Sequence, residues 1–206
     1  MKNLGCNWEK GFYAPEAVDT SSVVLPDELL PLCNVLAKNS HDIWAAKRLS
    51  EGVTYGNGEN QNPYLVPFEL LDDEEKKVNL ITIQEPIKIL MLMGFDVTPP
   101  AQLPVAELQT IEAFKPEPID ISGIVIDEAL EAAADAIAYN AHEVWSIDRL
   151  QAGWIWAEVR DNDKKLHPLL KPFEELTEND KSYDKDLAFG NLKAIVALGG
   201  SIVKRQ

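Results

Sequence analysis

Apolar residues recur at helical spacing in four stretches of this chain of 206 residues. A first long amphipathic helix is predicted over roughly Asp27–Glu51, directly after Pro26, since proline suits a helix start. A second long helix is predicted over roughly Asp127–Ala152. Shorter helices are predicted over roughly Ile83–Met93 and Leu187–Leu198, and each is followed by a glycine, a residue that commonly ends helices.

Turn residues and aromatic residues fill the segment between the two helices of each pair. Tyr55, Trp154 and Trp156 lie in these segments and favour short strands. An extended lead-in that contains proline precedes each long helix, at residues 14–25 and 115–126. The pattern predicts a mainly α-helical fold with short β-strands.

The same order of elements occurs twice because the sequence is internally duplicated. The segment Asn-Ser-His-Asp-Ile-Trp at 39–44 corresponds to Asn-Ala-His-Glu-Val-Trp at 140–145, an offset of 101 (142 − 41). Further along, Pro-Tyr-Leu-Val-Pro-Phe at 63–68 corresponds to Pro-Leu-Leu-Lys-Pro-Phe at 168–173, an offset of 105 (168 − 63). The second copy therefore carries four extra residues (105 − 101) in a loop near 159–166.

The duplication predicts how the domains are arranged. We expect two homologous repeats related by a pseudo-twofold axis, because either one alone is small for a stable core. The predicted segments are an N-terminal extension at 1–13, a first repeat at 14–98, a linker at 99–114 and a second repeat at 115–206.

Charge and composition exclude some classes of partner. The formal net charge is −15 at pH 7, so we expect no binding to nucleic-acid polymers, which requires cations against phosphates. A small anionic ligand remains possible because it needs only a few local donors. The longest apolar runs, such as Ile87–Met93, are far shorter than the ~20 residues of a membrane span. We also find no apolar run of signal-peptide length near the N-terminus, and we expect a cytoplasmic protein without a membrane partner.

Residue types suited to catalysis or metal binding are sparse. Cys6 and Cys33 lack zinc-type spacing, and the apolar neighbours of Cys33 predict a buried thiol. Two of the three histidines, His41 and His142, correspond to each other in the duplication, which suits a binding face better than an acid–base pair. We therefore expect no enzyme activity, no cofactor and no metal site.

A binding face is suggested by the spacing within the first long helix. His41, Trp44 and Arg48 lie at i, i+3 and i+7, on one side of the helix. An indole can stack on a purine ring and a guanidinium can bind phosphate oxygens, so this stripe suits a purine phosphate. The alternative is that the tryptophan packs in the core and the histidine hydrogen-bonds to backbone.

The duplication supplies the second set of candidates. His142, Trp145 and Arg149 repeat the stripe on the other long helix, with the same alternative of packing. Among the remaining aromatics, Tyr55 and Trp156 are the best placed to line a cleft, and packing is again the alternative for both.

The combined motif, His-x-x-Trp-x-x-x-Arg-Leu-x-x-Gly followed by Asn-Pro or His-Pro and Leu-x-Pro-Phe, resembles the RyR repeat. That module occurs in tandem on the cytoplasmic part of ryanodine receptors and in small bacterial and phage proteins. The resemblance covers residues 14–98 and 115–203, and it favours a free-standing bacterial or phage protein. It implies that adenine nucleotides bind in a cleft between the repeats, against the tryptophans, histidines and arginines of the two stripes.

The resemblance also marks positions outside the stripes. It implies a polar contact at Asn79, whose counterpart is Asp184 (184 − 79 = 105). Some channel repeats carry a cation where this chain has Tyr64 and Leu169, so a phosphate contact there is not carried over.

Two hypotheses for function follow. In the first, the protein holds a nucleotide-derived signal, such as an adenine nucleotide, an ADP-ribose-like molecule or a cyclic nucleotide. It would act as a sensor or a sponge in defence or counter-defence. In the second, it is a protein-interaction or structural module without a small ligand. A homo-oligomer is compatible with either.

Overall fold

The computed structural model describes residues 4–105 and 107–205, apart from the side chain of Tyr183. Four α-helices dominate the described chain: α1 (Leu30–Ser50), α2 (Asp73–Leu92), α3 (Glu128–Gln151) and α4 (Glu178–Ala197). Short strands accompany them: β1 (Cys6–Trp8), β2 (Gly11–Tyr13), β3 (Thr54–Tyr55), β4 (Gln61–Asn62), β5 (Phe95–Thr98), β6 (Ile155–Trp156), β7 (Leu166–His167) and β8 (Ser201–Lys204). The prediction of a mainly helical fold with short strands is confirmed.

The two long helices form where the hydrophobic pattern places them. A 3-10 turn at Asp27–Leu29 leads into α1, so the predicted helix over 27–51 is confirmed. At the start of α3, the Asp127 carboxylate accepts the N–H of Leu130 at 2.9 Å and satisfies one of the free N–H groups of the first turn. Cys33 on α1 is fully buried, as predicted, and burial raises the pKa of its thiol to about 11.

The predicted starts of the two shorter helices were wrong. Helix α2 begins ten residues before Ile83 (83 − 73), and α4 begins nine residues before Leu187 (187 − 178). The Asp72 carboxylate caps α2 by accepting the N–H of Glu75 at 2.9 Å, and the Thr177 hydroxyl accepts the N–H of Asp180 at 3.2 Å. Acidic residues in a first turn are stabilised by the helix dipole, so polar sequence extends both helices towards their N-termini.

Both shorter helices end as predicted. Gly94 and Gly199 follow them with φ of +84° and +87°, a conformation in which a side chain would be strained. Short strands form at the aromatic segments, where β3 pairs with β4 and β6 with β7, each pair parallel. The antiparallel pairs β1–β2 and β5–β8 were not predicted.

The chain divides into two compact units, and neither coincides with one repeat. Unit I combines the described part of Met1–Asp19 with Asp127–Gly190, and unit II combines Thr20–Ile126 with the described part of Asn191–Gln206. In each unit, the lead-in of one repeat therefore packs with the long helix of the other. Strand β8, at the end of the second repeat, pairs with β5 of the first repeat within unit II.

In both units, a hydrogen bond joins the lead-in of one repeat to the long helix of the other, an arrangement that we call the exchange of lead-ins. In unit I, the N–H of Val18 donates to Asn140 Oδ1 at 2.7 Å, and in unit II the N–H of Ile119 donates to Asn39 Oδ1 at 2.7 Å. The donors correspond by the offset of 101 (119 − 18), and so do the acceptors (140 − 39). The duplicated sequence therefore makes the same contact twice, each time with the long helix of the other repeat.

Each unit has its own apolar core. In unit II the buried side chains come from α1, α2, β5 and the end of α4, and they include Leu32, Leu36, Ile83, Leu90, Phe95 and Ile195. In unit I they come from the N-terminal strands, α3 and the turn before α4, and they include Cys6, Tyr13, Ala133, Ile137, Leu170 and Phe173. Within the described ranges we find no helix with the length and apolar character of a membrane span.

Candidate functional site

A pocket of about 250 Å³ in unit II joins α1, α2 and the loop between them. Three of the residues that line it, His41, Trp44 and Asn79, were predicted as site residues. Helix α1 contributes side chains at i and i+3, and α2 contributes Glu75 and Asn79 at i and i+4, so each helix presents neighbouring turns to the pocket. The remaining lining residues are Tyr64 and Leu71.

His41 is a fixed wall of this pocket. Its side chain is buried, and Nε2 donates to the carbonyl oxygen of Val66 at 2.8 Å. A carbonyl can only accept, so this contact places the hydrogen on Nε2. The ring stands 5.4 Å from the Trp44 ring at 31° between planes, and it also contacts Phe68. His41 therefore holds one side of the indole in place.

Trp44 is half-buried and has an unfilled side. His41 is the one aromatic or cationic partner of its ring within residues 4–105 and 107–205. The indole can consequently accept a second flat ring by stacking, an interaction that adds about 0.5–1.5 kcal/mol to the burial of apolar surface.

The polar groups of the pocket are mainly hydrogen-bond acceptors. Asn79 uses its Nδ2 group to donate to the carbonyl oxygen of Glu75 at 2.9 Å, so its Oδ1 is the atom left for a ligand. The Glu75 carboxylate is the largest cause of the raised pKa of Tyr64, ahead of burial and the charge of Asp72. No lysine or arginine is among the lining residues. The pocket therefore favours a ligand that carries N–H donors over a phosphate.

Two predicted residues of the first repeat lie outside this pocket. Arg48 follows Trp44 by one helical turn, is exposed, and pairs with Glu51 at 2.8 Å. Such exposed ion pairs contribute little free energy, so its guanidinium remains accessible to an anion. Tyr55 lies on β3 with half of its surface exposed and does not line the pocket.

In the second repeat, His142 repeats the arrangement of His41. Its Nε2 donates to the carbonyl oxygen of Lys171 at 2.8 Å, and Lys171 corresponds to Val66 (171 − 66 = 105). Burial lowers the pKa of His142, which keeps the ring neutral. Both histidines thus make the backbone hydrogen bond that the packing alternative predicts.

The indole of Trp145 is half-buried like that of Trp44, but it has three aromatic or cationic partners within the protein. His142 stacks on it at 5.6 Å, His167 meets it edge-on at 4.9 Å, and the Arg149 guanidinium lies 5.8 Å from its centre. Arg149 also lies 5.4 Å from the ring of Trp154.

The first repeat lacks the residues that fill this stack. Val53 corresponds to Trp154 (154 − 101), and Asn62 corresponds to His167 (167 − 105). Of the two stripe tryptophans, Trp44 therefore has fewer ring partners in the described chain.

Asp184 and Trp156, the remaining positions considered in the second repeat, do not form a second copy of the pocket in the first repeat. Asp184, the counterpart of Asn79, is half-buried, and burial raises the pKa of its carboxyl to about 6. Trp156 lies on β6, which packs beside β1, and its indole Nε1 is buried without a hydrogen-bond partner in the described chain. Within that same part of the chain, no group of His, Cys, Asp and Glu side chains is arranged to hold a metal ion.

Sequence reasoning missed Tyr64 and Glu75 as lining residues. Tyr64 was considered only as a position where some channel repeats carry a cation, and Glu75 was not singled out. The signal for Glu75 was its spacing of four residues from Asn79, which becomes meaningful once α2 is known to begin at Asp73.

Comparison with protein families agrees with the duplication. The model of a family described as the RyR domain matches residues 13–99 and again residues 114–204. Together the two matches cover most of the chain.

Proposed function

Because this chain belongs to the RyR domain family, with two copies in tandem, we propose that it is a non-enzymatic protein that binds a nucleotide-derived small molecule. The observation that carries this proposal is the pocket that joins His41 and Trp44 of α1 with Asn79 of α2. His41 and Trp44 share one face of α1, and Asn79 lies in the part of α2 that the hydrophobic pattern did not predict.

The size of the pocket indicates which part of the ligand enters it. Ligand pockets usually enclose about 300–1,000 Å³, and this one has about 250 Å³. It therefore suits one ring system, stacked on Trp44, and not a whole dinucleotide.

The acceptors of the pocket favour a particular base. Asn79 Oδ1 and the Glu75 carboxylate can each accept an N–H, which favours a base with an exocyclic amine, such as adenine. A phosphate would be repelled by Glu75 and belongs outside, where Arg48 follows Trp44 by one turn of α1.

The histidines support a binding role without catalysis. The Nε2 atoms of His41 and His142 are both engaged with backbone carbonyls, and His167 Nδ1 accepts the N–H of Leu169 at 3.2 Å. A general base needs access to the proton that it removes. We therefore expect the ligand to be held intact, in a sensor or a sponge for a nucleotide signal in defence or counter-defence.

Calorimetry with adenosine, ATP, ADP-ribose and cyclic nucleotides tests the proposal. We expect adenosine to bind about tenfold more tightly than inosine, which lacks the exocyclic amine. Trp44→Ala should abolish binding because it removes the stacking surface. Tyr55→Ala, an exposed aromatic outside the pocket, is the control and should leave the affinity unchanged.

Three results would count against the proposal. If none of the panel binds, the alternative of a protein-interaction module gains support, and light scattering would then test for a homo-oligomer. Binding that survives Trp44→Ala but is lost in Trp145→Ala would place the ligand at the second repeat. Turnover of a bound nucleotide, followed by mass spectrometry, would contradict the non-enzymatic role.

A further inference from the structure

Unit II contains a second, larger cavity of about 930 Å³, which shares no lining residue with the pocket at Trp44. The cavity is lined by α1, by the turn Phe68–Leu70 with the start of α2, by the linker and by the lead-in of the second repeat. The lining is mixed: apolar side chains such as Val35, Phe68 and Ile119 alternate with charged ones such as Lys76 and Glu107.

Asp42 lines this cavity with an unsatisfied carboxylate oxygen. The residue is 1% exposed, and its Oδ2 accepts from the Lys38 ammonium, whereas Oδ1 has no hydrogen-bond partner in the described chain. A buried acceptor without a donor costs free energy, and a ligand that supplies the donor recovers it.

Asn39 lines the cavity one turn earlier on α1 and offers the complementary group. Its Oδ1 accepts the N–H of Ile119 at 2.7 Å, which fixes the orientation of the carboxamide. Its Nδ2 is the remaining donor, and no described residue accepts from it. Positions i and i+3 are neighbours on a helix, so a free donor stands beside a free acceptor.

The second repeat shows how the corresponding place is satisfied internally. Glu143 corresponds to Asp42 (143 − 42 = 101), and its two oxygens accept the Tyr13 hydroxyl at 2.7 Å and the N–H of Glu16 at 2.6 Å. In the first repeat the acid is one methylene shorter, and Phe114 takes the place of Tyr13 (114 − 13 = 101) without a hydroxyl. The two differences together leave Asp42 Oδ1 without a donor in the described chain.

We propose that this cavity is a ligand site for a flat molecule that presents an N–H donor beside an acceptor, as a carboxamide or an amino-substituted heterocycle does. Asp42 Oδ1 accepts the N–H, Asn39 Nδ2 donates to the acceptor, and the apolar side chains among the lining residues cover the ring. The edge of the ligand is uncharged because Lys38 already neutralises Asp42.

Matched pairs of probes test the donor requirement. Nicotinamide is compared with N,N-dimethylnicotinamide, and adenine with purine, because the second member of each pair lacks the N–H groups at the same edge. We expect the first member to bind at least about tenfold more tightly by calorimetry. In NMR spectra, the Asn39 side-chain amide should shift on titration. Binding of nicotinamide would indicate a carboxamide ligand, and binding of adenine would indicate an amino-substituted heterocycle.

Variants separate this site from the pocket at Trp44. Asp42→Asn replaces the open acceptor by a donor and should abolish binding of the probe. The double variant Asp42→Glu with Phe114→Tyr rebuilds the arrangement of the second repeat, so it should fold at least as stably and also lose binding. Trp44→Ala should leave the affinity of nicotinamide unchanged. Adenine, which the pocket at Trp44 also favours, is compared with purine in the Trp44→Ala background.

The proposal fails if no probe binds at millimolar concentration, or if both members of each pair bind equally. It also fails if the double variant, folded by circular dichroism, binds as tightly as the wild type. Loss of binding in Trp44→Ala with retention in Asp42→Asn would assign the probe to the other pocket. Because the two pockets share no lining residue, failure here leaves the proposal for Trp44 standing.

Discussion

The hydroxyl of Tyr13 offers a direct test of the exchanged lead-in in unit I. Glu143 is 2% exposed, and its carboxylate depends on two donors from that lead-in, the Tyr13 hydroxyl and the N–H of Glu16. Tyr13→Phe removes one oxygen atom and keeps the ring. It therefore leaves one carboxylate oxygen of Glu143 without a partner inside the protein.

The expected magnitude follows from that geometry. A hydrogen bond to a charged group contributes about 1.5–3 kcal/mol, so we expect the free energy of unfolding to fall by about 2 kcal/mol. For a protein of this size, this corresponds to a decrease in Tm of about 4–8 °C. The packing term should be small, because phenylalanine fills the same space in the buried environment of Tyr13.

Urea denaturation followed by tryptophan fluorescence measures the effect. The control is Tyr139→Phe, the same change on α3 at a hydroxyl for which no described residue is a hydrogen-bond partner; it should cost less than about 0.5 kcal/mol. Equal costs for the two variants would refute the reasoning, since the bond to Glu143 would then contribute nothing.

The same residue predicts a loss of stability at alkaline pH. Burial, reinforced by Glu143, raises the pKa of Tyr13 above its ordinary value of 10.0. The unfolded chain therefore loses this proton at a lower pH than the folded chain does. Stability contributed by the neutral hydroxyl is complete below pH 10 and declines as the pH rises further. Tyr13→Phe should show a shallower decline, and parallel slopes would contradict the assignment.

Three further predictions concern stability. Burial raises the pKa of Asp184 from 3.8 to about 6, so at pH 7 the folded protein holds a charged carboxylate in an unfavourable place. In urea denaturation, Asp184→Asn should therefore stabilise the protein by about 1 kcal/mol at pH 7, and the gain should shrink towards pH 4. An equal gain at both pH values would contradict this. Gly94→Ala should cost about 1 kcal/mol in thermal denaturation because φ is +84°, whereas Gly190→Ala inside α4 should stabilise, and effects of the same sign would be inconsistent with this. Deleting 201–206 removes the partner of β5 and should speed hydrogen exchange at Asp96, whose N–H faces Val203 in the ladder, and unchanged protection there would show that the pairing is dispensable.

The sequence predicted the elements whose hydrophobic pattern is strong. Helices α1 and α3 were predicted almost in full because buried side chains recur along each of them. The first turns of α2 and α4 carry mainly charged residues, and there the helix depends on the cap at Asp72 or Thr177. A method that follows apolar spacing starts such a helix at its first buried turn and misses the polar turns before it.

The exchange of lead-ins could not be predicted from the alignment. An alignment shows that Val18 corresponds to Ile119, but it does not show which copy each one contacts. The partners Asn140 and Asn39 were each visible as conserved between the copies, although their side chains were not assigned a role. The pairing becomes visible only in the structure, where a buried asparagine on each long helix accepts the backbone N–H of the other repeat's lead-in.

The candidate site was predicted in part. Helical spacing correctly placed His41 and Trp44 on one face, and the family resemblance supplied Asn79. Spacing could not decide between packing and binding, because that depends on what the loop brings to the face. Val66 supplies the carbonyl that fixes His41, and Tyr64 supplies part of the wall.

The differences between the two repeats point in one direction. Glu143 has two donors whereas Asp42 Oδ1 has none, and Trp145 has three ring partners whereas Trp44 has one in the described chain. Each difference changes which groups are satisfied and leaves the helix positions intact. Unsatisfied groups reduce stability, so their retention in unit II is reasonable where a ligand completes them. At these two positions the second repeat supplies its own partners, and on our proposals a ligand would supply them in the first repeat.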